Sequence, residues 1–330
     1  MLDTLLQLGL FTAKSIIIVA LVLVILVAFF GLLARSKDKL KGRLIIKHLN
    51  KTFAETKEVL LEETLTKKEF KQFLKTQKAE EKSKAKANKP VKKMFVLNFQ
   101  GDMKASAVSM LSEEITALLN ITQKGDEVLL KLESPGGVVH GYGLAAAQLM
   151  RFRNAGIPLT ICVDKVAASG GYMMACIADK ILAAPFAIIG SIGVIVQLPN
   201  FHRLLKDKHI DFEQHTAGDF KRTITVFGQN TEEGREKLQE EIENIHQQFK
   251  DLIKENRPQL DIDKVATGEH WLGREALGLK LVDDIMTSDE YILDRTQKAA
   301  VYEIYTEVKK PMFSKFTAAA NMIKEHLLGM

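Results

Sequence analysis

Cysteine is nearly absent from this chain, with Cys162 and Cys176 the two examples in 330 residues. Two thiols in so long a chain make no disulfide framework. Cys162 lies in the apolar stretch Leu159-Thr160-Ile161-Cys162-Val163 and Cys176 in a run of small residues, so both read as reduced structural fillers. Other signatures are missing too. There is no Walker loop, no Gly-x-Gly-x-x-Gly and no cluster at metal-ligand spacing, so neither a cofactor nor a metal is expected. The lack of a zinc finger or an RNP-like aromatic pattern excludes a nucleic-acid partner. Nor is there a Gly-x-Ser-x-Gly frame, and His140, His202, His209 and His215 stand in no motif like the α/β-hydrolase histidine loop. They read as surface or satisfied histidines.

Charge and hydropathy are unevenly spread. The formal net charge is +5, and the basic excess falls between Arg35 and Lys93. Residues 16–34 carry no charge, a run of about 30 Å as a helix, which matches the hydrocarbon core of a bilayer. A cleaved signal peptide would have a shorter apolar core and a small-residue cleavage site. Here basic residues follow directly, so one uncleaved transmembrane helix is expected after an N-terminal tail over 1–15. Arg35, Lys37, Lys39, Lys41, Arg43 and Lys47 follow the span against Asp38 alone, which by the positive-inside rule places the bulk of the chain in the cytoplasm. Residues 35–93 form a basic region, with one or two charged helices from His48 and a low-complexity tract from Lys78 to Lys93. That tract is either a solvated tether or an arm drawn to anionic headgroups, worth up to about 1 kcal/mol per cation. A second apolar stretch, 181–198, is interrupted by Pro185, Gly190, Ser191 and Gly193, and reads as strand-turn-strand.

From Met94 onward, strands expected at 95–99, 127–132, 159–163 and 180–184 alternate with helices at 107–121 and 138–153. This rhythm predicts an α/β domain of parallel strands joined by right-handed crossovers. A long charged helix over 231–255 carries Ile242, Ile245, Phe249, Leu252 and Ile253 at helical spacing, a core stripe or an oligomer interface.

Functional groups in such sheets gather where strand ends meet helix starts. Ser134-Pro135-Gly136-Gly137 and Ala167-Ala168-Ser169-Gly170-Gly171-Tyr172 both occupy that position. Ser169 between a strand and a helix would expose its hydroxyl, but a serine is a poor nucleophile until a base takes its proton. Lys221, in Gly218-Asp219-Phe220-Lys221-Arg222, can be that base if burial between Phe220 and the 224–227 segment keeps it neutral. The Gly170 N–H and the Gly136-Gly137 turn are the candidate oxyanion donors.

With Gly190-Ser191-Ile192-Gly193-Val194, Gly273-Arg274-Glu275-Ala276-Leu277 and Gly278-Leu279-Lys280-Leu281-Val282-Asp283, these motifs over roughly 94–285 resemble peptidase family S49. That family comprises signal-peptide-peptidase-like serine proteases of the ClpP/crotonase superfamily. The single-repeat length, N-terminal anchor and long basic segment are similar to its SohB subgroup. The resemblance implies a ClpP/crotonase-like repeated ββα superhelix, with the protease domain over 94–305. It implies Ser169 as nucleophile, Lys221 as general base, Gly170 and Gly137 as oxyanion donors, and Ser191 as the residue that orients the lysine. It further implies peptide or protein substrates bound in extended form, a homo-oligomeric ring or dome, and a bacterial inner-membrane location. Family members often face away from the cytoplasm, against the positive-inside expectation. Trp271-Leu272-Gly273-Arg274 departs from the family's usual string, which bears on substrate subsites. An amphipathic docking helix is expected over 306–330. The rival readings are a crotonase-like acyl-CoA hydrolase or hydratase, and a catalytically silent membrane scaffold.

Overall fold

The computed structural model describes residues 10–12, 14–24, 26, 42–86 and 92–307. Contacts divide the chain into two units, 1–43 with 306–330, and 44–305. Within the first unit residues 14–24 are helical. Among the described residues no helix is long and apolar enough to cross a membrane. Of the span expected over 16–34, residues 25 and 27–34 lie outside the described set. The helix expected towards the C-terminus lies outside it from residue 308.

The second unit is built on β2 (Lys93–Gln100), β3 (Glu127–Glu133), β4 (Leu159–Val163) and β6 (Lys180–Ala183). With β1 (Arg43–His48), β9 (Asp284–Ile285) and β10 (Ala300–Glu307) they form one seven-stranded sheet in the order β1-β10-β2-β3-β4-β6-β9. The pairings from β10 through β9 are parallel, with Leu130 beside Ile161 and Ile161 beside Ile181. Strands buried on both faces need apolar residues at every position, and β4 is buried throughout. The two-residue period still sorts side chains between two cores. Phe95, Leu97 and Phe99 join one, and Met94 and Val96 the other.

The first core is covered by α3 (Val108–Leu119) and α4 (Val139–Asn154), whose Leu111, Ile115, Leu118, Leu149 and Phe152 are buried. The second is covered by α10 (Ser288–Thr296), through Tyr291 and Ile292, and by Leu49 at the start of α1 (Leu49–Thr64). Three short strands, β5 (Val166–Ala168), β7 (Ile188–Gly190) and β8 (His270–Leu272), form a second sheet. The chain thus repeats a strand of the large sheet, a short strand of the small one, and a helix. β4, β5 and α5 (Gly170–Ala175) are the complete example, and the parallel large sheet with its connecting helices is the expected α/β domain.

Two differences from the sequence reading have simple causes. The tract expected as a linker from Lys78 is helical to Lys86, the end of α2 (Lys67–Lys86), because its Lys, Glu and Ala are strong helix formers. The small-sheet strands are only three residues long, too short to show a period. Both cysteines are free and buried, and burial pushes the Cys176 thiol up to about 12, so neither is a thiolate at neutral pH.

The long helix α7 (Glu232–Asn256) is capped by the Thr231 hydroxyl, which accepts from the Gly234 N–H at 3.1 Å. Its C-terminal half enters the core through Phe249 and Ile253, while Ile242 and Ile245 are half-buried. The following residue, Arg257, is 2 % exposed and donates to both Asp283 oxygens at 2.7 Å. Asp283 also accepts from the Ile181 N–H at 2.7 Å. Burial alone would raise the Asp283 carboxyl, but these hydrogen bonds outweigh it and hold the group below the usual aspartate range.

Removing one partner of such a pair leaves a charge without compensation. Arg257→Met is expected to lower the unfolding free energy by about 3 kcal/mol at neutral pH, read by urea denaturation. A carboxyl depressed by folding stabilises above its unfolded pKa and loses that contribution as pH falls through its folded one. The difference between wild type and Arg257→Met should therefore shrink in acid below the ordinary aspartate range.

Candidate active site

β5 ends where Ser169 turns the chain into α5. Ser169 has φ 52° and ψ −118°, a conformation rare for a residue with a side chain and one that concentrates at functional turns. Its N–H donates to the Gly190 carbonyl of β7 at 2.7 Å, and its carbonyl accepts the Met173 N–H of α5 at 3.0 Å. The backbone is thus fixed on both sides. The half-buried Ser169 hydroxyl makes no capping bond and meets no other partner among the described residues.

The Ser134-Pro135-Gly136-Gly137 turn is fastened to the same strand. The Ser134 N–H donates to Val166 O at 2.8 Å, and Ser134 O accepts the Ala168 N–H at 3.0 Å. This lays the glycines against the serine. Gly136 has φ +89°, and a Cβ there would stand 2.7 Å from both Ser169 Cβ and Ala168 O, and 2.8 Å from Gly170 N. A Cβ on Gly170 would enter the Tyr142 ring. The Gly136 N–H is engaged by Ser134 Oγ at 3.1 Å. Among the described residues, neither the Gly137 nor the Gly170 N–H meets an acceptor. The expected donors therefore flank Ser169 and are unspent.

Ser191 is also brought close. It follows Gly190, whose carbonyl holds Ser169, and its own N–H donates to Glu269 O at 2.7 Å. Gly190 and Ser191 both have positive φ, and the Trp271 ring lies where a Gly190 Cβ would be. This gives Trp271-Leu272 a local reason: β8 pairs with β7, with Trp271 beside Ile189.

Among the described residues no hydrogen bond links Lys221 to Ser169. Lys221 lies exposed in the arm 191–230, which holds one short helix at His202–Asp207, and its side chain has no hydrogen bond or ion pair among the described residues. The burial expected between Phe220 and 224–227 is absent from the single chain, because Phe220 and Phe227 are themselves exposed. Lys221 instead borders an open groove of about 670 Å³ with Leu198, Phe212, Ile224 and Phe227. Among the described residues no histidine hydrogen-bonds Ser169. His140, His209 and His215 are exposed, and His215 stands 3.7 Å from Glu213.

Sequence reasoning passed over Tyr142. It is fully buried, and its hydroxyl lies 2.6 Å from Ser134 Oγ and donates to Asp102 O at 2.8 Å. Nothing in the sequence sets it apart from the other residues of its helix.

A held serine with a free hydroxyl and two unspent backbone donors suits acyl transfer, in which the serine attacks a carbonyl and the donors take the developing charge. Comparison with known proteins narrows that class. Residues 3–149 match the peptidase family S49 N-terminal model and residues 151–302 that of peptidase family S49 itself. The chain is 48% identical to "Probable protease SohB" of Haemophilus influenzae, over 95% of this chain and 92% of that protein. It is 46% identical to "Probable protease SohB" of Buchnera aphidicola subsp. Schlechtendalia chinensis, over 89% of this chain and 100% of that protein. Among solved structures it aligns with the 1510-N membrane-bound stomatin-specific protease at 15% identity and a TM-score of 0.43, over 63% of this chain and 86% of that one. That likeness is too distant to carry an argument. The chain belongs to peptidase family S49, and it is a serine-type peptidase.

The packing of Gly136 on Ser169 yields a test. Gly136→Ala adds a Cβ against backbone atoms at a positive φ, so the turn must withdraw from the serine. Peptide cleavage is expected to fall at least about 100-fold, the scale of losing one oxyanion donor. Near-native activity in a folded Gly136→Ala protein would show that the turn takes no part.

Proposed function

We propose that the protein is a membrane-attached endopeptidase that cleaves apolar peptides or membrane-protein fragments through an acyl-enzyme on Ser169, with Lys221 as general base. The observation that carries this reading is the free Ser169 hydroxyl beside the unbonded Gly137 and Gly170 N–H groups. Ser169 Oγ attacks the peptide carbonyl carbon while Lys221 takes its proton. The carbonyl oxygen becomes an oxyanion between the two glycine donors. Collapse expels the amine, which receives the proton from Lys221, and water then hydrolyses the ester by the same relay. Ser191, next to the carbonyl that holds Ser169, orients the lysine.

For this chemistry Lys221 must come within reach of Ser169 in surroundings that favour its neutral form, and burial among apolar groups provides such surroundings. The arm that carries it also exposes Ile195, Val196, Ile210, Phe212 and Phe220, an apolar surface with no cover in the single chain. Packing of the arm against a second copy in a ring or dome would bury that surface and desolvate the ammonium together. The apolar segment 16–34 and the basic residues after it supply the membrane attachment, which the sequence alone supports.

Ser169→Ala and Lys221→Ala are each expected to abolish cleavage of an apolar peptide by the folded, assembled protein. The wild-type rate should rise with an apparent pKa near or above neutrality, as an amine base requires. Activity retained by either variant removes that residue from the mechanism, and a flat profile through neutrality removes the lysine base.

A further inference from the structure

The deepest polar group beside the site is not one of the residues that touch a substrate. Tyr142 and Ser134 are both 0 % exposed, and an unpaired hydroxyl at such depth is costly. Their hydrogens can be assigned by satisfying every partner. Tyr142 donates to Asp102 O at 2.8 Å, so the 2.6 Å contact uses the Ser134 proton, and Ser134 Oγ accepts the Gly136 N–H at 3.1 Å. One unbranched chain results, from Gly136 N–H through Ser134 and Tyr142 to the Asp102 carbonyl. Room for it depends on Gly101, where a Cβ would strike both hydroxyls.

The same side chain meets the second donor from below. The Tyr142 ring occupies the space a Gly170 Cβ would need. The turn that accepts the Tyr142 proton also holds the glycine turn by its far end, since Met103 O accepts the Val138 N–H at 2.9 Å. Burial raises the phenol pKa, so the hydroxyl stays a donor wherever the enzyme works.

We infer that Tyr142 is a positioning residue for the oxyanion site: its hydroxyl sets the Gly136-Gly137 turn through Ser134 while its ring sets Gly170. One rigid side chain thereby fixes the separation of the two donors. The inference rests on the proposed role of Ser169 and its flanking glycines. A core tyrosine with no such role would affect folding alone. A positioning residue affects the transition state more than the ground state, because the donors matter most once the oxyanion forms.

The test uses the full chain in detergent. Tyr142→Phe keeps the ring beneath Gly170 and removes the hydroxyl that donates to Asp102 O and accepts from Ser134. We expect kcat to fall about 10- to 100-fold with KM unchanged, the scale set by small misplacements of catalytic groups. Affinity for a peptidyl aldehyde, which forms the tetrahedral adduct, should fall by a similar factor. The midpoints of the pH–rate profile should not move, since Tyr142 exchanges no proton with substrate. Ser134→Ala breaks the same chain without touching the ring, so it should reproduce the kcat loss and would carry the test if Tyr142→Phe did not fold. The double variant should be no worse than the poorer single one. Wild-type kcat in folded Tyr142→Phe or Ser134→Ala overturns the inference, as does a loss seen equally in KM. Activity retained by Ser169→Ala would instead remove the nucleophile itself, so the two failures are distinguishable.

Discussion

The structure around the site depends on one close approach, that of the Gly136 turn against the Ala168-Ser169-Gly170 backbone. No side chain fits between them, and the contact is made by two chain segments more than thirty residues apart in sequence. What holds it is a two-bond parallel bridge between Ser134 and the strand that ends at Ser169. The bridge serves as a fragment of a strand in the small sheet. Through it β3, which runs in the large sheet, delivers its glycines to a strand of the other sheet. Ser169 and the neighbouring glycine N–H groups consequently sit where two sheets are locked at one corner. A corner of this kind resists small adjustments, which suits a site in which donors must wait where charge will develop.

The far side of the same corner is held as firmly. Tyr172, three residues past Ser169, is fully buried and donates to Leu281 O at 2.9 Å. Two residues on, Asp283 ties Arg257 to the β6 backbone. The Gly278–Asp283 motif is thus a clamp that fixes α5 against the end of α7. Its distance in sequence from Ser169 reflects the crossover topology. The spacing becomes intelligible only when the strands are stacked in order.

Much of this was legible in the sequence, for reasons that can be named. β2, β3, β4 and β6 are apolar runs bounded by turn residues, and α3, α4 and α7 carry helical periodicity, so each announces itself locally. Ser169 and the Gly136-Gly137 turn stood out because small residues at strand ends are conspicuous. Tyr142 did not, since a tyrosine on an apolar helix face is ordinary core until its hydroxyl is seen to reach Ser134. The small sheet was invisible because three residues cannot display a period. Trp271 read as a departure from the family's string, and became meaningful only as the cover over Gly190. The burial of Lys221 was misjudged for a further reason. Neighbouring phenylalanines imply burial only if they are buried themselves, and in a single copy of this chain they are not.

That last point bears on how the proposed enzyme would be controlled. The serine, its donors and their supports sit on the rigid corner, whereas the proposed base sits on an arm with little regular structure and much exposed apolar surface. A protease assembled in this way would carry a formed oxyanion site in every chain and a competent base only where the arm is covered. The two requirements on Lys221, proximity and loss of its proton, are then met by one event, because the surface that desolvates the amine also fixes its position. Such coupling separates folding from activity. A newly made chain could fold completely, with its hydroxyl and donors in place, and still present to solvent a serine that no base activates.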